Sequence, residues 1–513
     1  MHSVRGGVSV LRHQSGGIGS EPGTAILGTF TFKPATTAPL DQLTINDVQS
    51  YTQPIDFGVH SYDLKQWLVT GFVQDSIRPF SNLTVDVGLR YDWQSLTDAK
   101  TNIAPRVGFG WNPGGDAKMS VRGGYGMYYT QIRSNNVASY LVNGLDGLTT
   151  YTAVPGQFGF PTCLTAPCVP LNFNPATLPP SQLPARDIVI QAGQRSFYEA
   201  QFARYGLNFD LLPNYPDKLV NPRSQVMTIG AERQLATGLF AGMDFVHQHL
   251  DNIDRTVDLN APAPFDRTAP GQVRTVAQAN ATRPILPVNG GVRQVNVLMN
   301  LGEADYNGLQ TQVRYHGTKL EGSISYTLSK ATNTTEPDGN GIGPNDSNIA
   351  RLGEQERGLS VVDQRHRGVI ALSYRLPLDI RIGTMTYLAS ARPFNGTTGV
   401  DNNGDGLNND RPVVNGQVIG KSTFHGSSTA DLSAFIEGPV RLGPATVLLR
   451  LEGFNLLNYG NYLGRGQTIY GNTDTASPTF GQLVAAGTSS TAIPAFANVD
   501  PPRMFQFSAR LVF

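Results

Sequence analysis

The last ten residues carry the pattern that most constrains the fold, a strict alternation of apolar and polar side chains. Such alternation is typical of a β-strand with one apolar and one polar face. In a soluble sandwich the apolar face would meet a second sheet, whereas in a membrane barrel it would meet lipid and the polar face would line a hydrated lumen. This strand alone leaves both readings open. Its apolar members are Phe505, Phe507, Ala509, Leu511 and Phe513, and its polar members are Gln506, Ser508 and Arg510.

Other alternating segments carry charged residues in the middle of their polar faces. Residues 83–93 alternate Leu, Val, Val, Leu, Tyr and Trp with polar residues that include Arg90 and Asp92. Residues 119–129 and 446–455 repeat the pattern. A charge in mid-strand is costly in a dry sandwich core unless it is paired. A hydrated lumen removes that cost, so these segments favour a barrel.

The connections between the predicted strands sort by length. Short links alternate with long ones, the layout of an outer-membrane barrel with tight turns at one rim and long loops at the other. Most predicted strands run to about ten residues, enough for a tilted strand to cross a bilayer. The sequence therefore predicts an all-β fold, a transmembrane antiparallel β-barrel. The predicted strands lie near 2–13, 24–33, 67–78, 83–93, 102–111, 119–130, 225–235, 239–248, 307–316, 321–330, 367–376, 379–390, 429–438, 444–455 and 503–513.

The number of predicted strands indicates whether they can form a whole barrel. About fifteen strands are predicted, an odd number, whereas bacterial single-chain barrels use even numbers and must close. We therefore expect residues 1–513 to be the C-terminal part of a larger barrel. The alternative is a miscount by one strand within a long loop such as 131–224.

Aromatic residues near the strand ends are predicted to form the girdles found at membrane interfaces. Ordinary packing within a sheet is the alternative. The residues concerned are Tyr91, Trp93, Tyr125, Tyr129, Phe505 and Phe513.

Composition excludes several other classes of protein. Charged residues make up 15% of the chain, below the usual quarter, and the formal net charge is zero, so we expect no nucleic-acid partner. No apolar run is long enough for a transmembrane helix, and no signal peptide is recognisable at Met1. The chain carries no recognisable hydrolase, zinc-protease or nucleotide-binding motif, so we expect neither catalytic residues nor an organic cofactor.

The two cysteines, Cys163 and Cys168, lie in one Pro-rich segment. Zinc would need more ligands than this segment offers. We expect a local disulfide that staples a loop in an oxidising compartment, with two free thiols as the alternative.

Seven short motifs together resemble TonB-dependent outer-membrane receptors, most closely the Oar-like group that carries a carboxypeptidase-regulatory-like domain. The resemblance covers essentially the whole chain, and the ordered set is specific although no single motif is. The motifs are Phe72-Val73-Gln74-Asp75-Ser76, Asn82-Leu83 through Tyr91, Ala104-Pro105-Arg106-Val107-Gly108-Phe109, Val121-Arg122-Gly123-Gly124-Tyr125-Gly126, Asp363-Gln364-Arg365-His366-Arg367, Gly453-Phe454-Asn455-Leu456-Leu457-Asn458 and the terminal Phe513.

This resemblance implies a 22-stranded barrel filled by an N-terminal plug, in the outer membrane of a Gram-negative bacterium. It also implies uptake of a scarce large nutrient, such as a siderophore, oligosaccharide or peptide, with energy passed through TonB. Implied partners are outer-membrane lipid, the TonB complex through the N-terminal region, and the barrel-assembly machinery through the C-terminal strand. Residues 1–513 depart from the family pattern because we find no plug, TonB box or N-terminal domain in them, and about seven strands are expected to be missing.

A candidate metal site lies in Asp401-Asn402-Asn403-Gly404-Asp405-Gly406, which matches the first half of a calcium-binding EF-hand loop. The twelfth position, normally a bidentate Glu, is Pro412, and Asp410 is the candidate substitute. The predicted calcium ligands are Asp401, Asn403, Asp405 and Asp410. The alternative is an Asn/Gly-rich loop held by turns in which side chains bond to the backbone.

A second candidate site is the charged group Asp363, Arg365, His366 and Arg367, at the start of a predicted strand. These residues are candidates for contact with an anionic ligand near the outer mouth. The alternative is that they hold the lumen wall and plug together through hydrogen-bonded ion pairs. Loops 131–224 and 249–306 are the expected ligand-facing surfaces.

Three functions fit these observations. The first is an outer-membrane uptake receptor, here as a barrel fragment. The second is a surface-displayed binding or adhesion barrel whose long loops are stiffened by calcium. The third is a soluble secreted all-β protein, which extraction without detergent would reveal.

Overall fold

A computed structural model of the chain contains one large antiparallel sheet. It describes residues 1–18, 28–33, 39–59, 61–116, 118–156, 160–165, 183, 185–269, 271–335, 356–394, 396–397, 401–406, 410–411, 413–414, 416–461, 468–469 and 501–512. All structural statements below concern these residues.

Fourteen strands follow one another in the sheet in chain order, each antiparallel to the next. The predicted all-β fold is confirmed. The strands are β1 (His2–Ile18), β2 (Ser61–Phe80), β3 (Leu83–Gln94), β4 (Ile103–Trp111), β5 (Met119–Tyr129), β6 (Arg223–Ala236), β7 (Leu239–Asp258), β8 (Val292–His316), β9 (Leu320–Asn333), β10 (His366–Arg375), β11 (Arg381–Ala389), β12 (Thr429–Leu442), β13 (Ala445–Phe454) and β14 (Met504–Val512).

The connections separate by length between the two ends of the sheet, as predicted. The short-turn rim is built by links 81–82, 112–118, 237–238, 317–319, 376–380 and 443–444. The long-loop rim is built by 19–60, 95–102, 130–222, 259–291, 334–365, 390–428 and 455–503. At the β6–β7 turn, Gly238 has φ +75° and a Cβ there would lie 2.2 Å from the carbonyl oxygen of His316, so only glycine fits.

The strand register gathers the alternating apolar residues onto one face of the sheet. Leu89 lies opposite Val73 on β2 and Pro105 on β4, and its side chain is 48% exposed. The polar neighbour Arg90 lies on the other face, where it bonds Asp92. We call these the lipid face and the lumen face.

The predicted facing of the C-terminal strand is also observed. Phe505 and Phe507 lie opposite Gly453 and Leu451 on the lipid face, and each phenylalanine is 66% exposed. The final Phe513 lies outside the described residues. Within the part of the chain that the structure describes, no second sheet covers the apolar face of β14, so a soluble sandwich is excluded.

One predicted strand is placed wrongly. Within segment 24–33, Thr29–Phe32 is extended and belongs to a separate three-stranded sheet with Val48–Asp56 and Leu148–Ala153, while residues 24–27 lie outside the described residues. Phe30 packs within that small sheet, where its ring centre lies 4.9 Å from the ring centre of Tyr51. Among the described residues the main sheet therefore runs through fourteen successive strands, an even number, and the parity argument for a partial barrel fails.

The main sheet has two open edges. Among the described residues, β1 pairs with β2 alone and β14 with β13 alone. The residues of both edge strands are largely exposed. An unpaired edge cannot stay in hydrocarbon, because its N–H and C=O groups would have no partner there.

Shorter elements lie in the links between these strands, at the long-loop rim except for the 3₁₀ turn Pro377–Asp379 at the short-turn rim. The helices are α1 (Ser134–Val142), α2 (Arg195–Arg204) and α3 (Val276–Asn280), and among the described residues none of them has the length and apolar character needed to span a membrane. The 3₁₀ turns are Leu40–Gln42, Ile45–Asp47, Phe209–Leu211 and Pro377–Asp379. Further strands are Arg186–Ile190, parallel to β8, Gly358–Leu359, beside β9, and the pairs Pro393–Phe394 with Phe424–His425, Gly396–Thr397 with Thr468–Ile469, and Val413–Val414 with Gln417–Val418.

The long loops contain the main hydrophobic core. Loop 130–222 folds against loop 259–291 and the outer parts of β7 and β8. We call this packed region the cap. Its largest buried cluster comprises Leu145, Ile188, Ile190, Tyr198, Phe202, Phe209, Leu212, Tyr215, Val257, Leu259, Ile285, Val292, Val295, Val297 and Met299.

The facing assignment predicts that arginine destabilises the protein on the lipid face and has little effect on the lumen face. Leu89→Arg should lower the free energy of unfolding by about 2–4 kcal/mol, because it places a charge in hydrocarbon. Gln74→Arg is the matched control, since Gln74 is exposed on the lumen face one residue from Val73, the cross-strand neighbour of Leu89. It should change stability by less than about 1 kcal/mol. Denaturant titration in lipid vesicles measures both, and the reverse ranking would show that the faces are exchanged.

Candidate functional site

The lumen face is lined by charged residues that pair with one another, some within a strand and some between strands. Arg90 on β3 donates to Asp92 at 2.8 Å, and Asp92 also accepts from the hydroxyl of Thr70 at 2.8 Å. Arg122 on β5 donates to Asp244 on β7 at 2.6 Å. These pairs are partly exposed, so each contributes about 0–1 kcal/mol to stability. Their main consequence is a wall with both signs of charge and little net field.

A denser cluster lines the wall between β11 and β13. Arg381 on β11 contacts Glu437 on β12 at 3.0 Å, and Arg450 on β13 contacts Glu437 at 3.8 Å and Glu452 at 2.7 Å. The guanidinium of Arg450 lies 3.9 Å from the ring centre of Phe435, a cation–π contact. This ladder presents charge, hydrogen-bonding groups and an aromatic ring on one surface.

The cluster borders a cavity of about 550 Å³ on the lumen face. Ser323, Ser373 and Ser433 add hydroxyls to its lining, and Met385 adds an apolar patch. A surface of this kind binds polar solutes or polypeptide through many hydrogen bonds.

At the long-loop rim, buried amides join the lumen wall to the cap. Gln94, at the end of β3, is 2% exposed. Its Nε2 donates to Gln66 Oε1 and to the carbonyl oxygen of Ile132, both at 2.8 Å. Its Oε1 accepts from the amide nitrogen of Ile132 and from Nδ2 of Asn221, both at 2.9 Å. All four bonding positions of one side chain are thus filled.

Asn221, 4% exposed, extends this network to the β3–β4 loop. Its Oδ1 accepts from Thr97 Oγ1 and from Asn102 Nδ2, each at 2.9 Å. Sequence reasoning missed this network. Its members are ordinary polar residues at strand ends, and 127 residues separate Gln94 from Asn221.

The predicted calcium loop is held by its own turns. Asp401 accepts from the backbone nitrogens of Gly404 at 2.6 Å and Gly406 at 2.9 Å. Asp410 accepts from the backbone nitrogens of Asn402 at 2.6 Å and Asn403 at 3.0 Å. These contacts match the alternative reading, an Asn/Gly-rich loop with side chains bonded to backbone.

Arginine side chains of loop 259–291 contact the predicted calcium loop. Arg274 donates to the carbonyl oxygen of Asn403 at 2.7 Å, and Arg283 donates to that of Asp405 at 3.1 Å. Arg267 lies 3.6 Å from Asp410, with both side chains buried. We call Arg267, Arg274 and Arg283 the arginine clasp. Arginine donors occupy backbone oxygens of the kind that calcium would use.

Among the described residues no three His, Cys, Asp or Glu side chains converge as metal ligands do. The predicted ligands Asp401, Asn403, Asp405 and Asp410 lie in one buried loop but bond to backbone, side-chain amides and arginine. Calcium binding here stays a prediction.

The charged group at the start of β10 is not one cluster. Asp363 is buried and accepts from the backbone nitrogen of Ala331 at 2.6 Å. His366 lies on the lipid face, where Nδ1 is 2.7 Å from the hydroxyl of Tyr326. Arg367 lies on the lumen face opposite Thr327, and the backbone oxygen of Arg365 accepts from Ser329. Asp363, His366 and Arg367 therefore lie in three different surroundings, and an anion site shared by the four stays a prediction.

Cys163 is disulfide-bonded. The other predicted partner, Cys168, lies outside the described residues.

Burial raises the pKa of Asp410 to about 6, although Arg267 and two backbone amides oppose the shift. The pKa of Asp410 in the folded protein thus lies above its unfolded value of 3.8. Asp410 therefore makes its full contribution to the free energy of unfolding below about pH 4, and this contribution is lost as the pH rises through 6. The loop should therefore be held more tightly in mild acid.

We predict that hydrogen exchange in residues 401–406, corrected for the intrinsic rate, slows several-fold between pH 7.5 and pH 5. Asp410→Asn removes the titrating group and should flatten this dependence, while Asp116→Asn, in an exposed turn at the opposite rim, should leave it unchanged. Exchange measured by mass spectrometry decides, and a variant that keeps the full pH dependence would contradict the assignment.

Thermal melting tests whether the predicted loop binds calcium. If Asp401, Asn403, Asp405 and Asp410 bind calcium, the ion should raise the melting temperature of the folded protein relative to a chelated sample. Asp405→Ala should abolish the difference. Equal melting with calcium and with chelator would leave the arginine clasp as the element that holds the loop.

The family described as "Outer membrane beta barrel domain" matches residues 1–99 and 95–447. A search of curated proteins finds no match.

A solved structure shares this fold. The outer membrane transporter YddB from Escherichia coli aligns with a TM-score of 0.51 at 11% identity, over 90% of this chain and 48% of that one. A mutant of the ferric enterobactin receptor PfeA from Pseudomonas aeruginosa aligns with a TM-score of 0.49 at 13% identity, over 90% and 49%. The siderophore receptor PiuA from Acinetobacter baumannii gives 0.40 at 11%, over 81% and 40%. The chain spans about half the length of YddB or PfeA.

Proposed function

Because the chain belongs to the outer membrane beta barrel domain family, we propose that it is the barrel portion of a TonB-dependent receptor that takes up a scarce large nutrient. The protein resides in the outer membrane of a Gram-negative bacterium. The observation that carries the proposal is the lumen wall. Its paired charges, serines and aromatic ring form a wet surface inside a lipid-facing shell, and the fold is shared with a transporter.

The proposal extends to the rest of the receptor. Further strands of the parent protein would pair with the free edges of β1 and β14, and a plug and TonB-contacting segment would lie N-terminal to them. The two open edges and the half-length alignment with YddB support this arrangement. Assignment to the Oar-like group belongs to the same proposal and rests on the sequence motifs.

Two further partners are part of the proposal. Outer-membrane lipid would cover the apolar band that includes Leu89 and Phe507. The barrel-assembly machinery would engage β14, whose apolar side chains and free edge are both exposed. The nutrient could be a siderophore, an oligosaccharide or a peptide, because the mixed charge of the lumen wall suits each.

A barrel that displays a binding or adhesive surface is the second candidate. The cap favours it, since its loops form a packed unit with a core of its own at the long-loop rim. Packed loops present a fixed surface to a partner and lose little conformational entropy on binding.

Deletion in the source bacterium tests the proposal. We predict that strains lacking this gene or lacking TonB share one growth defect when iron, carbon or nitrogen is supplied only as a siderophore complex, an oligosaccharide or a peptide. Restoring the gene should restore growth only in a strain that has TonB. Growth rate on each nutrient is the measurement.

The display barrel predicts a different result. Loss of the gene would then reduce attachment to a surface or to other cells while every nutrient still supported normal growth. A growth defect independent of TonB would exclude energised uptake.

A further inference from the structure

Two histidines lie close together on the outside of the wall, just beyond the apolar band of β7. Asp244 faces the lumen, where it bonds Arg122, so the odd-numbered residues from Met243 onward face the other way. This row runs through Met243 and Phe245 and continues with His247 and His249. Both histidines therefore lie toward the long-loop rim, where water and lipid head groups replace hydrocarbon.

The spacing of the two histidines suits a shared metal ion. Residues two apart on a strand lie on one face, about 7 Å from each other along the strand. An ion bound at about 2.0–2.1 Å from each of two imidazole nitrogens joins atoms that are up to about 4 Å apart. Two imidazole rings that lean toward each other cover the remaining distance, so His247 and His249 can hold one ion between them.

Each imidazole is held at Nδ1 by the residue directly opposite it on β8. Nδ1 of His249 lies 2.8 Å from Oδ1 of Asp305, and Nδ1 of His247 lies 2.9 Å from Oδ1 of Asn307. Carboxylate and amide oxygens only accept hydrogen bonds, so Nδ1 carries the hydrogen in both rings. In the neutral imidazole, Nε2 then carries a free lone pair. Both histidines thus offer the same atom, Nε2, as a metal ligand.

The contacts at Nδ1 match those of metal-binding histidines. Such a histidine usually donates its second ring N–H to a carboxylate or carbonyl oxygen, which fixes the tautomer and the orientation of the ring. Asp305 is itself held in place, since Arg357 lies 2.9 Å from its other oxygen. The orientation of the rings is therefore set by protein contacts that do not involve an ion.

The Nε2 side of the pair is accessible. The side chain of His249 is 32% exposed, and its Nε2 lies 3.9 Å from Oδ2 of Asp251. This distance is too long for a hydrogen bond, but it is within the reach of two ligands that share one ion through bonds of about 2.0–2.2 Å. Arg223 holds Asp251 at 2.7 Å, so a carboxylate is fixed beside the imidazole.

We propose that His247 and His249 form a surface site for a divalent transition metal ion such as Cu²⁺ or Zn²⁺, bound through Nε2 of both rings with water in the remaining positions. Imidazole nitrogen suits these ions, whereas calcium takes oxygen ligands, so the site is separate from the loop at 401–406. Two imidazoles are fewer ligands than a structural zinc site has, so the ion is bound more weakly and exchanges with solution. The site depends on the register of β7 and β8, and it is the same in an uptake receptor and in a display barrel.

Copper titration tests the site. The full chain, purified in detergent with a histidine-free affinity tag, is titrated with Cu²⁺ and followed by electron paramagnetic resonance, which counts the coordinating nitrogens. We expect one ion per chain with two imidazole nitrogens, displaced by a large excess of Zn²⁺. His247→Gln and His249→Gln should each weaken binding at least about tenfold, and Asn307→Leu, which removes only the oxygen that orients His247, should weaken it about 10–100-fold. His366→Gln removes a single histidine from the same face and should leave the affinity unchanged.

Chemical protection in the unsubstituted chain gives a second measurement that does not depend on the folding of a variant. Diethyl pyrocarbonate acylates accessible imidazoles, and mass spectrometry locates the products. We expect Zn²⁺ to slow the modification of His247 and His249 several-fold and to leave that of His366 unchanged. The proposal is overturned if Zn²⁺ leaves the pair unprotected. It is also overturned if a chain that lacks both histidines and keeps its strand content by circular dichroism binds Cu²⁺ as tightly as the parent.

Discussion

The backbone hydrogen bond is the interaction on which the rest of this structure depends. In hydrocarbon no water replaces a missing partner, so every N–H and C=O of a spanning strand must bond to a neighbouring strand. The antiparallel ladder from β1 to β14 supplies such partners between neighbouring strands, and among the described residues β1 and β14 each leave one edge of it unpaired. The ladder also fixes which face each side chain occupies. Burial, charge pairing and the position of the loops all follow from that register.

The polar interior follows from the same constraint. Since backbone hydrogen bonds between the strands hold the sheet together, the lumen side chains need not form a dry core. They can remain hydrated, provided that opposite charges lie within reach, as Arg450 does with Glu437 and Glu452. Cohesion among apolar side chains is needed where the chain leaves the membrane, and the large buried cluster is found there, in the cap.

The sequence predicted the wall well and the cap poorly, for a physical reason. A two-residue period and a tight turn are local, so strands such as 83–93 and 119–130 appear in the structure within one residue. The bonds of Gln94 to Gln66, Ile132 and Asn221 join distant segments, and no local pattern encodes them. The loop at 401–406 shows that a local spacing pattern carries no information about contacts from distant segments. Its Asp and Asn spacing resembles a calcium loop, whereas its surroundings include three arginines from a loop more than a hundred residues earlier.

Joining both stems of loop 130–222 at one amide has an evolutionary consequence. Ile132 and Asn221 join both stems of the loop to the wall at Gln94, so a part of the loop between them that does not contact the sheet can change in number and kind without altering strand register. Lengthening a closed loop costs little, since the entropy of closure grows only with the logarithm of its length. The barrel can therefore act as a constant frame that accepts new outer segments, and related proteins can diverge in what they meet outside the cell while their walls stay alike.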